Sequence, residues 1–599
     1  MQATLRAERP IGLGLLSLVA VVVGVVTGLG AIFFRDLIGL IHNVFFLGHF
    51  SIVYNANHYT PESPWGAAVI LVPVIGGLGV VFLVTKFAPE ARGHGVPEVM
   101  DAIFYQDGKI RPIVAIIKSL ASALAIGSGA AIGREGPIIQ IGASLASTIG
   151  QVIRMEPWQR ITLVAAGAGA GIAATFNTPI GGVMFAIELM MPEVSARTFL
   201  PVALATGTAT FIARIFLGLR PAFEVPAVYF VANQQPPLYA ILLYVVMGGI
   251  IGLAATGFVR GLYFTEKLCD RIANPYLRHA LAMLAVGAGM YGFFRYTGHY
   301  HIEGVGYSTV EDVLMGGLMF GPLLLLLSAS KLVATVLSLG SGSSGGIFSP
   351  SLFMGATLGA AFGTLCHLVI PMPAITIGAF AMIGMAAMVG SATGAAMTAV
   401  TMIFEMTRDY DIVMPMIVAV AVAIGVRRVL CSENIYTLKL VARHHFIPKA
   451  LHANMFLVRP AGDVMSRDFL VMDSDMDFDA FLRQPEHHGR MRHVIITKAN
   501  RIAGVLRVNT SLRLGLEGSS TGVKLGEVMS RRFIVAREGD IMFGVIGRMW
   551  RKNASMIVVV RGRKVPHKAD ILGIITKEHV ADSVAASVKP YAGGEATPF

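Results

Sequence analysis

The chain has 599 residues, of which 54% are hydrophobic and only 14% charged, with a net charge of +12. A soluble protein carries about 25% charged residues, so this composition excludes an ordinary soluble enzyme. Of the charged residues, 37 fall between Leu451 and Phe599, which leaves the first three quarters of the chain far poorer in charge. A polytopic membrane domain is therefore expected in the first three quarters and a soluble domain in the last. Cys269, Cys366 and Cys431 lack CxxC spacing, so neither a disulfide framework nor a metal site is expected.

The first predicted span, Ile11 to Phe34, is too long for a signal-peptide core and follows Arg6 and Arg9. These arginines predict a cytoplasmic amino terminus, the Lys-free loop from His49 to Glu62 an outside position, and Lys86 with Arg92 a return inside. Further apolar segments run from Trp65 to Val84, Pro112 to Gly133, Ile161 to Ile187, Thr198 to Leu217, Leu238 to Val259, His279 to Phe294, Leu314 to Leu327 and Ile412 to Gly425. From Leu332 to Phe404 there are 73 residues without Asp, Glu, Lys or Arg, which several crossings or re-entrant pieces must share.

Clustered Gly and Pro interrupt these segments at Gly127 to Pro137, Gly167 to Pro179 and Gly340 to Pro350. Backbone freed by such breaks cannot face lipid, so it must be buried in protein or line an aqueous cavity. The breaks also recur. Gly133 to Pro137 precedes a helix ending in Ile187-Glu188-Leu189, and Gly342 to Pro350 precedes another ending in Phe404-Glu405-Met406, about 210 residues later. Repeated interrupted helices place a substrate site where the halves meet. A helix that starts inside a membrane offers unpaired amides and the positive end of its dipole, which suits an anion, whereas a metal cation needs clustered carboxylates. Gly93-His94-Gly95-Val96-Pro97 is a third such start.

Glu135, flanked by glycines, is either a structural cap or a carboxylate that imitates the anion, docking when ionised and leaving when protonated. Arg134 is expected to neutralise Glu135, to bind substrate or to reach an interface, and Lys118 to raise the positive potential of the pathway or to snorkel.

Gly-Arg-Glu-Gly-Pro at 133–137, Gly-Gly-Ile-Phe-Ser-Pro at 345–350 and Gly-x-Gly-x-Pro-Glu at 93–98, with Phe176-Asn177-Thr178-Pro179, Glu405-Met406-Thr407 and Tyr436, resemble the CLC chloride channel and transporter family over about residues 11–445. The resemblance implies an all-α polytopic membrane protein with inverted repeats and broken, re-entrant helices. It also implies a homodimer in the lipid bilayer with one pathway per subunit, and chloride or another small anion as substrate. By motif, Glu135 matches the gating glutamate, the amides of Glu135, Gly136, Ile347 and Phe348 match the anion cradle, and Tyr436 matches the tyrosine whose hydroxyl faces the anion.

Two residues depart from the family pattern. His94 stands where a serine is usual; its imidazole can donate to the anion or turn away to the backbone. Leu189 stands where proton-coupled members often carry an internal glutamate. The neighbouring Glu188 is either a second proton acid or a structural carboxylate. A glutamate-gated, channel-like chloride path is thus expected, with an H+/Cl- antiporter of unusual proton route as the alternative.

The carboxy-terminal region repeats Val-Met-Ser-Arg at 464–467 and 528–531, each followed by strand-like runs at His493 to Thr497, Ile502 to Val508, Met556 to Val560 and Ile571 to Thr576. It resembles a small α/β CBS pair over 460–582, and the two resemblances together imply a membrane domain at 1–445, a linker at 446–459, this cytosolic pair and a tail at 583–599. Thr576 is a weak nucleotide contact, because His579 replaces the usual Asp, and Arg507 and Thr510 depart from the pattern in the first unit. A structural pair is therefore expected in preference to adenine-nucleotide sensing. The +7 charge of the region suits an anionic inner leaflet at a bacterial inner or plasma membrane, with both termini cytoplasmic, and not nucleic acid. No catalytic motif stands out, and the charge-free stretch argues against a CBS-gated divalent-cation transporter.

Overall fold

A computed structural model describes residues 8–219, 222–223, 239–370, 376–445, 447, 455–482, 493–507, 522–562 and 567–588. Thr510, most of the expected linker and residues 589–599 of the expected tail lie outside the described residues. The chain divides into two units, Met1–His445 and Phe446–Phe599.

The first unit is helical. Its first half contains α1 Leu13–His42, α2 Val72–Lys86, α3 Val96–Tyr105, α4 Ile113–Gly127, α5 Glu135–Ile153, α6 Pro157–Phe176, α7 Pro179–Phe185 and α8 Ala196–Leu217. The second half repeats the order with α9 Tyr239–Cys269, α10 Pro275–Thr297, α11 Tyr307–Leu314, α12 Gly321–Ser341, α13 Phe348–Val369, α14 Ile377–Thr393, α15 Ala396–Thr407 and α16 Val413–Leu430, and α17 Thr437–Ala442 follows. Nine helical segments among the described residues are long and apolar enough to cross a membrane. Shorter apolar helices such as α4, α14 and α15 must bury their ends in protein.

Two segment boundaries differ from expectation. The glycines at 167, 169 and 171 do not break a helix, because α6 is continuous to Phe176 and the chain turns only at Asn177 and Thr178. They serve contact instead: a Cβ on Gly167 would lie 2.3 Å from the Gly142 carbonyl of α5, and one on Gly384 2.3 Å from the Gly355 carbonyl, the same crossing in the other half. The apolar stretch Leu314 to Leu327 is not one element, since α11 ends at Leu314 and α12 begins at Gly321.

Equivalent residues of the halves pair reciprocally. Gly133 N–H donates to the Gly346 carbonyl at 2.7 Å and Gly346 N–H returns the bond at 2.5 Å. Glu188, in the middle of the π-helical turn Ala186–Met190 that continues α7, accepts from the amides of Met397 and Thr398 at the start of α15. Glu405, on α15, accepts from the amides of Ile180 and Gly181 at the start of α7. Each half caps a helix of the other, as a pseudo-two-fold relation requires. Inside this frame every residue of α14 from Gly378 to Thr393 is buried.

The second unit holds two three-stranded sheets. In the first, β1 Leu470–Asp473 runs parallel to β2 His493–Lys498, which pairs antiparallel with β3 Arg501–Arg507. In the second, β4 Phe533–Arg537, β5 Met556–Val560 and β6 Ile571–Thr576 repeat that order. Ser466 of the first Val-Met-Ser-Arg motif bridges to Ile574 on β6, and Ser530 of the second bridges to Val505 on β3, so the CBS-like units interlock. Ile495 and Val505 share one apolar cluster with Met556, Val558 and Ile574.

Candidate functional site

The starts of α3, α5 and α13 meet at one point. Gly95, before α3, has φ +84°, and a Cβ there would meet Gln140 of α5 at 2.8 Å. A Cβ on Gly136 would lie 2.3 Å from the His94 carbonyl and 3.0 Å from Gly346 Cα. Only glycine permits this approach. Around the contact, the amides of Glu135, Gly136, Ile347 and Phe348 donate to no acceptor among the described residues. Converging unpaired amides at two helix starts form a cradle of donors, an arrangement that suits an anion and not a cation.

The Glu135 side chain is fully buried and turns toward α13. Its Oε1 accepts from the Tyr307 hydroxyl, and from Ser349 Oγ at 2.5 Å, while Oε2 accepts from the Ser349 amide at 3.3 Å. The carboxylate thus sits at the positive end of α13, where a small anion would otherwise be favoured. Arg134 Nε lies 4.0 Å from Glu135 Oε1, and the guanidinium covers the Tyr307 ring at 5.3 Å. Arg134 also lines a cavity of about 330 Å³ together with Arg35, Arg214 and Asn177. Arg134 thus lies beside Glu135 and on the wall of a cavity whose lining also includes Glu311.

His94 and Tyr436 occupy the other side of the cradle. Both are buried, and their ring centroids are 5.6 Å apart. His94 Nδ1 is buried with no hydrogen-bond partner among the described residues, so the imidazole is not tied to the backbone through that nitrogen. Gly93, His94, Ile435 and Lys439 share the lining of a small cavity of about 20 Å³, room for one water-sized particle.

Three expected site residues lie apart. Lys118 is fully buried and neither snorkels nor faces the cradle: its Nζ donates to the carbonyls of Ala91 and Gly93 at 2.9 and 2.8 Å, pinning the loop that carries His94. Glu188 is committed to the start of α15, adding a bond from Thr398 Oγ1 at 2.8 Å. Thr576, in the second unit, uses its hydroxyl to accept from the His579 amide at 3.3 Å. Sequence reasoning missed Tyr307 and Lys331. Gly304-Val305-Gly306-Tyr307 repeats the Gly-x-Gly helix start of Gly93-His94-Gly95, and Lys331 holds the carbonyls of Ile302 and Gly304 as Lys118 holds those of Ala91 and Gly93. The repeated Gly-x-Gly spacing was the available signal; the missing proline hid it.

A sequence model of the voltage gated chloride channel family matches residues 76–428. The chain belongs to this CLC family. The CLC chain is 32% identical over 427 residues to the H(+)/Cl(-) exchange transporter ClcA of Salmonella arizonae, covering 70% of this chain and 87% of the relative, and 31% identical to that of Salmonella paratyphi B with the same coverage. Among solved structures, the CLC fold is shared with a slow cyanobacterial Cl-/H+ antiporter at 24% identity and TM-score 0.62, covering 72% of this chain and 97% of that one. A eukaryotic CLC transporter matches at 20% identity and TM-score 0.58, covering 94% of this chain and 97% of that one. Membership makes the CLC chain an integral membrane anion transporter.

Proposed function

We propose that the chain moves chloride and similar small anions through one pathway per subunit of a homodimer, gated by Glu135. The observation that carries this reading is the Glu135 carboxylate at the start of α13, beside amides that have no other acceptor. An anion and the ionised carboxylate compete for the same positive helix end, and protonation weakens the carboxylate's claim. The arginine-lined vestibule raises the local anion concentration, while His94 and Tyr436 close the other side of the site.

Within this reading, flux is channel-like. Leucine cannot carry a proton at position 189, and Glu188, which could have substituted, already accepts three hydrogen bonds. Proton-coupled exchange is the second reading, and it is favoured by the relatives whose names describe H(+)/Cl(-) exchange. In the carboxy-terminal unit, the local use of Thr576 supports a structural pair over nucleotide sensing.

Chloride efflux from liposomes containing the full chain, measured across a pH series, tests the gate. Efflux rises as pH falls in the unaltered protein, and Glu135→Gln is open and insensitive to pH. A Glu135→Gln protein with the original pH dependence would remove Glu135 from the mechanism.

A further inference from the structure

The Gly-x-Gly helix start at Gly304-Val305-Gly306 has no assigned role, and the first helical residue after it, Tyr307, reaches the gate. Gly306 adopts φ +76° and Lys331 pins the Gly304 carbonyl, so the chain delivers Tyr307 into a buried position from a rigid loop. In the first half the corresponding loop, pinned by Lys118, carries His94 to the anion cradle. The two halves thus use one device for two ends of the site.

The Tyr307 ring is fixed on several sides. Its centroid lies 5.1 Å from Phe223 and 6.4 Å from Phe176, with the Arg134 guanidinium over one face. Little freedom remains for the hydroxyl except toward Glu135 Oε1 and Ser349 Oγ, the latter at 2.8 Å.

We propose that Tyr307, with Ser349, latches the ionised Glu135 carboxylate shut, making Tyr307 a positioning residue of the gate. This rests on the Glu135 gate proposed above. The donor count supports it: the ionised carboxylate receives the Tyr307 hydroxyl, the Ser349 hydroxyl and the Ser349 amide. Each hydroxyl has one proton, and both point at Oε1 while the Ser349 amide points at Oε2, so every donor is matched to the ionised form. A proton on Glu135 faces the two hydroxyls if it sits on Oε1 and the Ser349 amide if it sits on Oε2, and the remaining bonds lose their charge assistance, so the latch loosens. The other groups facing the carboxylate leave this logic intact. Arg134, on the same segment, stands at 4.0 Å and contributes charge without a hydrogen bond, and Tyr436 interacts with the carboxylate only electrostatically.

The test is chloride efflux from liposomes across a pH series for Tyr307→Phe and Ser349→Ala, each alone and in a Glu135→Gln background. Phenylalanine keeps the ring packing and removes only the donor. The latch predicts that Tyr307→Phe raises efflux at neutral pH about tenfold and moves half-activation upward by about one pH unit, the effect of one hydrogen bond to a charged group. Ser349→Ala shifts both in the same direction, and neither change affects efflux once residue 135 is glutamine. An unaltered efflux and pH profile in Tyr307→Phe would overturn the latch, as would an equal effect in the Glu135→Gln background, which would mark a structural role. The gate itself fails by a different result, an unaltered pH profile in Glu135→Gln alone.

Discussion

Replacing Glu188 by alanine separates a structural carboxylate from a proton carrier. The side chain is half-buried and accepts from Met397 N at 3.2 Å, Thr398 N at 2.9 Å and Thr398 Oγ1 at 2.8 Å. The start of α15 has no cap of its own, because Ala395 supplies no side-chain acceptor. Loss of a helix cap costs about 1 kcal/mol, and hydrogen bonds to a charged group about 1.5–3 kcal/mol each before water replaces them. Partial exposure allows that replacement, so a net loss of about 2 kcal/mol is expected for Glu188→Ala, with Glu188→Gln near half because one acceptor oxygen remains. At about 2–4 °C per kcal/mol the melting temperature in detergent falls by roughly 4–8 °C, compared at one heating rate because membrane proteins unfold irreversibly. Glu405→Ala, which strands the amides of Ile180 and Gly181 at the start of α7, lowers it by a similar amount. Since each acid caps the helix that bears the other, the double variant departs from additivity by at least about 0.5 kcal/mol. Unchanged melting in Glu188→Ala, together with a loss of chloride-driven proton movement, would refute the capping argument and restore Glu188 as a proton acid.

Further outcomes follow from the same geometry. Lys331→Met strands the Ile302 and Gly304 carbonyls in a buried loop and lowers the yield of folded protein measured by size-exclusion chromatography, at about 1–3 kcal/mol per lost partner, whereas Lys118→Met costs less because the Ala91 and Gly93 carbonyls keep Ser344 Oγ and the Gly345 amide as donors. Gly136→Ala places a methyl 2.3 Å from the His94 carbonyl and abolishes chloride efflux while the protein still reaches the membrane. In the carboxy-terminal unit, burial holds the His493 imidazole below its ordinary value of 6.5, helped by His579 and Arg507. The neutral ring's contribution is complete above pH 6.5 and is lost as pH falls below it. Protease resistance of this unit in the full chain therefore drops between pH 7 and about pH 5, and less so in His493→Gln.

The sequence made the membrane unit legible because low charge and long apolar runs have few other meanings. The Gly-Pro helix starts were legible for a related reason: glycine at a close backbone approach and proline in a first turn are local requirements that leave local marks. Tyr307 carries no such mark. It begins α11 without a following proline, and its role depends on the loop of one half meeting the gate segment of the other. The Lys118 side chain does not snorkel, and its structural use was not legible because only the fold supplies the Ala91 and Gly93 carbonyls. Glu188 and Glu405 show the same limit, since their spacing revealed a repeat but not that each caps its counterpart's helix. The glycines of α6 were mistaken for a break because glycine marks close packing between helices as readily as an interruption.

Chloride and proton movement recorded together in liposomes under an imposed chloride gradient test the central claim, a Glu135 gate without an inner proton acid. The account predicts chloride flux that requires no proton uptake, is unlocked by Glu135→Gln, and couples to protons only when Leu189→Glu restores an acid. Proton uptake driven by chloride at a fixed ratio in the unaltered chain, abolished by Glu135→Gln, would contradict it and establish exchange.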